Sequence, residues 1–94
     1  MDMNAKFLKQ WLNRATEEIG SKFSNIAHRH LLNPETKLVL FHNNETGLWQ
    51  WSLAVKDSDF WFDSFCNRKE GIEFIRKMGI KDRVIVLKST KGKV

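Results

Sequence analysis

The chain has 94 residues, 41% of them hydrophobic, with seven Phe and four Trp, which is enough apolar surface for one core and too little for two domains. No apolar run is long enough to cross a bilayer, no basic-then-apolar leader starts at Met1, and the single cysteine, Cys66, excludes an internal disulfide, so a cytoplasmic protein with no membrane partner is expected. The net charge of +5 is uneven: residues 1–66 carry seven Lys/Arg against eight Asp/Glu and residues 67–94 nine against three, and a basic end on a neutral body points to nucleic acid or an acidic protein surface as partner.

From Asn4 onward, Leu8, Trp11, Leu12, Ala15, Ile19, Phe23, Ile26 and His30 recur at helical spacings and form a stripe roughly 120° wide at 100° per residue. Gly20 and Ser21 interrupt the run. Because the stripe stays in phase across them, the spacing predicts one long helix over 4–32, with a bend at that point. Pro34 disfavours helical geometry at Asn33 and ends it. His28 and His30 point about 200° apart on a helix, whereas zinc pairs on helices sit three or four residues apart, so no metal site is expected there.

Residues 37–66 read as a three-stranded antiparallel meander and hold three of the four tryptophans. The first run is Lys37 to His42, and Asn43 to Gly47 supply a turn. The second, Leu48 to Lys56, alternates: Trp49, Trp51, Leu53 and Val55 face one way and Leu48, Gln50, Ser52 and Ala54 the other. After a turn at Asp57 and Ser58, pairing of Val55 with Phe60 puts Phe60, Phe62, Ser64 and Cys66 on the Trp51 face. Trp61, Asp63 and Phe65 then fall on the opposite one. The first face reads as core and the second is mixed.

Asn67 is suited to cap a short helix over 68–78, which Gly79 ends. Its apolar face is Ile72, Phe74, Ile75 and Met78, and Gly71 permits close approach to the sheet. Lys69, Glu73 and Lys77 are spaced for local pairing. A fourth strand over 82–88, with Val84 and Val86 on one side and Ile85 and Leu87 on the other, is expected to be buried on both. Residues 89–94 form a basic tail. The fold class is α+β, one domain over 1–94: long helix, three-stranded meander, short helix, fourth strand.

No catalytic signature stands out. A nucleophilic cysteine needs a neighbouring base, and Cys66 with His42 is the one pair available; on the apolar side of a strand Cys66 acts as a small hydrophobe. Asp57, Asp59 and Asp63 include two ordinary turn formers. No enzyme activity and no cofactor are expected.

The order helix, three antiparallel strands, helix resembles the double-stranded RNA-binding domain. The part from Leu38 to Met78, with its second helix entered through Phe65, Arg68, Lys69 and Glu70, is similar in layout to AP2-type and integrase arm-type DNA-binding domains. These resemblances imply basic helix ends on phosphates or a sheet face in the major groove, with only Arg68 and Lys69 standing for the RNA-binding family's basic cluster.

These features predict a small non-enzymatic binding protein that contacts nucleic acid through Arg68, Lys69, Arg76, Lys81, Arg83, Lys88 and Lys91. The alternative is a protein-interaction module, or an inhibitor of a larger enzyme, that uses Trp61, Phe65 and the long helix. If both helices pack on one side of the sheet, Trp61 and Phe65 are left for a second copy in a homodimer, another protein or stacked bases.

Overall fold

Asn4 starts helix α1, Ala5–Glu18, by accepting a hydrogen bond from the Phe7 amide at 3.1 Å, and its own amide donates to the Met78 carbonyl at 2.9 Å. The beginning of α1 is thereby tied to the end of the last helix. The computed structural model describes residues 4–43 and 51–87.

The long helix is divided. Helix α2, Ser21–Leu32, begins afresh after Gly20, whose backbone stands at φ 137° and ψ 162°, a conformation close to glycine-only. In-phase spacing does not hold a helix together when one residue leaves helical geometry, and the direction of the chain then changes. Ile19, which a continuous helix would have kept in the apolar stripe, is 63% exposed. The two helices are joined side by side where the Thr16 hydroxyl, bonded to the Leu12 carbonyl at 2.8 Å, meets the hydroxyl of buried Ser24 at 2.7 Å. Asn33 and Pro34 end α2 as expected, and the Asn33 side chain accepts from the Glu35 amide at 3.0 Å to turn the chain toward the sheet.

Strands β1 (Leu38–His42), β2 (Trp51–Val55) and β3 (Trp61–Phe65) form the antiparallel meander. Strand β4 is Val84–Val86, and it pairs with β1 in parallel, giving a mixed sheet of order β3-β2-β1-β4. Trp49 and the other residues between Asn43 and Trp51 lie outside the described residues, as does the basic tail. The fourth strand begins at Val84, later than the expected Asp82, because Lys81–Arg83 form a 3-10 turn. It is also an edge strand, with Ile85 44% exposed, and is not buried on both sides.

Helix α3, Arg68–Met78, has the expected bounds. The Asn67 side chain accepts from the Glu70 amide at 2.9 Å, and Gly79, at φ 80°, closes the end. The pairing expected along its surface does not form: among the described residues, no ion pair joins Lys69, Glu73 and Lys77.

Helices α1, α2 and α3 pack on one sheet face. Leu8, Trp11, Ala27, Leu31, Phe74, Ile75 and Met78 meet Leu38, Leu40, Trp51, Leu53, Val55, Phe62 and Phe65 in a single core. Gly71 brings α3 so close that a β-carbon there would lie 2.8 Å from Leu40 Cδ1. Register and alternation place Val39, Phe41, Ser52, Ala54, Trp61 and Ile85 on the other face.

One irregularity in β3 changes which side chains are inside. Leu53 is opposite Asp63 but Ala54 is opposite Trp61, so Phe62 has no partner residue on β2 and the strand bulges. Before the bulge the expected alternation holds, with Phe62 in and Trp61 out. Beyond it the parity is reversed: Phe65 turns into the core, its ring centroid 5.4 Å from that of Phe74, and Cys66 is exposed. Both assignments correct the strictly alternating strand expected from the sequence.

Candidate interaction site

Strand β3 is an edge of the sheet, and the break between α1 and α2 lies beside it. Ile19 ends α1, Phe23 belongs to the first turn of α2, and Trp61 starts β3. Together with Glu18 and Asp63 they line an open cleft of about 500 Å³. Trp61 is 42% exposed and leans edge-on to Phe41, with ring centroids 6.1 Å apart. Phe23 stacks on Phe60 at 5.1 Å and so holds the α2 wall against β3. A smaller recess of about 60 Å³ shares Glu18, Ile19, Phe23 and Asp63 with the cleft and brings in Arg14.

Asp63 is the ordered polar group of this site. It faces the helices and is partly buried. Its Oδ2 accepts the indole N–H of Trp11 at 3.2 Å and its Oδ1 accepts the Ser64 amide at 2.8 Å. These two bonds fix the carboxylate plane, and each oxygen keeps further accepting capacity.

The described basic residues expected to contact nucleic acid are distributed over α3, the 3-10 turn after it and the end of α2. Arg68 and Lys69 are exposed at the start of α3, while Arg76 is exposed in its last turn, eight residues or roughly 12 Å along the axis. Lys81 is exposed in the 3-10 turn. Arg83 is committed within the fold, where its guanidinium donates to the carbonyls of Leu31 at 2.6 Å, His30 at 3.5 Å and Asn33, closing the C-terminal end of α2. Lys88 and Lys91 lie outside the described residues. Of the two aromatic contacts expected, Trp61 is exposed and Phe65 is in the core.

His42 and Cys66 are not brought together. His42 packs edge-on to Trp51 at 5.3 Å on β1, Phe65 is opposite Trp51 on β3, and Cys66 follows Phe65, so the two are two strands apart, roughly 10 Å. Among the described residues, no group of three or more His, Cys, Asp or Glu is arranged to hold a metal ion.

Glu18, Ile19 and Phe23 were not singled out from the sequence as site residues. The signal was present in Gly20, which follows Ile19 directly, but only a broken helix turns these side chains toward β3.

Fold and site define a two-layer α+β domain, with helices on one face of a mixed four-stranded sheet and an aromatic-lined cleft at the antiparallel edge. No family model, curated protein or solved structure matches the chain.

Proposed function

We propose that this chain is a non-enzymatic protein-interaction module that holds its partner at the β3-edge cleft. The observation that carries this is the shared exposure of Trp61 and Ile19 on one cleft, 42% and 63% respectively. Single exposed apolar residues are ordinary, but a tryptophan and an isoleucine lining the same concavity supply the aromatic and aliphatic anchors on which interfaces concentrate their energy.

Nucleic-acid binding ranks second. Its support is the charge excess after residue 66 and the exposure of Arg68, Lys69, Arg76 and Lys81. Against it, Arg83 is occupied internally and the exposed cations sit at both ends of α3.

Affinity capture from cell extract separates the two, using the parent chain, Trp61→Ser and the double variant Arg76→Glu/Lys81→Glu, each with and without nuclease. The proposed function requires a protein retained after nuclease and by the double charge variant, and lost with Trp61→Ser. Capture abolished by nuclease and by charge reversal, yet untouched by Trp61→Ser, overturns it in favour of nucleic acid.

A further inference from the structure

We propose that the β3-edge cleft receives a cationic side chain, arginine or lysine, carried on an apolar segment of a partner protein. This rests on the interaction function proposed above and names what the partner presents.

The charge of the cleft runs against that of the chain. The protein carries 16 Lys and Arg against 11 Asp and Glu, yet the charged residues lining the main cleft are Glu18 and Asp63. Among the described residues, neither has an ion-pair partner. Arg14 borders the adjoining recess without forming an ion pair with either carboxylate. An anionic occupant would meet like charge here, and a neutral one offers hydrogen bonds without opposite charge, whereas a cation replaces the displaced water with charge-assisted hydrogen bonds.

Asp63 is already aimed. The Trp11 indole and the Ser64 amide hold its two oxygens in place, so little side-chain freedom is lost when a guanidinium or ammonium arrives. Partial burial also makes its attraction for that cation stronger than at an open surface. Trp61 and Ile19 serve the rest of such a residue. Both border the cleft and are exposed, so they offer apolar surface to the methylene stem and its neighbours.

The same features argue against a second copy at this edge. Two β3 strands paired about a two-fold axis would bring Glu18 and Asp63 of one copy toward Glu18 and Asp63 of the other, an unfavourable juxtaposition of like charge. The bulge at Phe62 and the inward-facing charge of Asp63 are also devices that discourage edge-to-edge strand pairing. A nucleic-acid strand, being an anion, is repelled by the same two carboxylates.

The test pans a phage library of random dodecapeptides against the full chain and measures the selected peptides by fluorescence anisotropy. Selected peptides are expected to carry Arg or Lys beside an apolar residue and to lose binding to Trp61→Ser. Replacing that Arg by citrulline, or that Lys by acetyl-lysine, is expected to weaken binding to the unaltered protein by about 10-fold or more, because one charge-assisted pair is lost. Glu18→Gln, at an exposed position, and Asp63→Asn, which keeps an oxygen for the Trp11 indole, are expected to weaken it in the same direction. Peptides that need Trp61 but tolerate the neutral replacement within twofold overturn the cation assignment and leave the interaction function standing. A library that yields no Trp61-dependent peptide overturns both.

Discussion

The indole N–H of Trp11 and the carboxylate of Asp63, 52 positions apart in the chain, meet at 3.2 Å, and this one bond joins the middle of α1 to the edge strand. Trp11 is 5% exposed and its ring also touches Phe23, Phe62 and Phe74. A single residue therefore packs the core and orients the polar group of the cleft. Trp11→Phe keeps most of the packing and removes the donor, so urea unfolding is expected to show a loss of about 1–2 kcal/mol. An unchanged midpoint would mean that water replaces the indole at Asp63 without loss.

Arg83 holds three carbonyls at the end of α2, and only a planar fork with several donors reaches them together. Arg83→Ala is expected to cost about 2 kcal/mol, and Arg83→Lys to recover less than half of it. Thermal unfolding of both variants checks this. Full rescue by lysine would show that charge near the helix end suffices and that the fork geometry is irrelevant.

Gly71→Ala sets two effects against each other. Alanine favours the helix by about 1 kcal/mol, but the added carbon would lie 2.8 Å and 3.0 Å from the two methyls of Leu40, which is fully buried, and 3.2 Å from Phe65. Overpacking against a side chain with nowhere to go costs about 1–3 kcal/mol, so net destabilisation is expected. A rise in melting temperature would mean that α3 can shift away from the sheet.

Ser52 is fully buried in the middle of β2, and among the described residues its hydroxyl has no hydrogen-bond partner. Ser52→Ala removes an unsatisfied polar atom and adds no volume, and a gain of about 1 kcal/mol is expected in urea unfolding. A loss of similar size would reveal that the hydroxyl is satisfied in solution by water.

Gly20→Ala isolates backbone strain, since an added β-carbon there has nothing within 4 Å. At φ 137° an alanine is expected to cost about 1–3 kcal/mol without any clash. Circular dichroism that instead shows more helix and equal stability would mean that α1 and α2 can fuse.

What the sequence determined on its own is whatever depends on neighbours within a few positions. Asn67 and Gly79 bound α3 because a side-chain cap and a left-handed residue act on the adjacent turn. Pro34 stops α2 through Asn33 by a steric clash between adjacent residues. The period-two pattern of Trp51, Leu53 and Val55 marks the core face because strand geometry is local. Tertiary structure decided the rest. In-phase apolar spacing over 4–32 is compatible with one helix or two, and only the packing of α2 back on α1, through Thr16 and Ser24, favours the break at Gly20. The bulge at Phe62 lets both Phe62 and Phe65 reach the core, which reverses the parity of all that follows and puts Cys66 outside. Arg83 looks in sequence like any other surface cation of the basic end. Its partner Leu31 lies 52 positions away, and no local rule links a strand-leading arginine to the carbonyls of a distant helix.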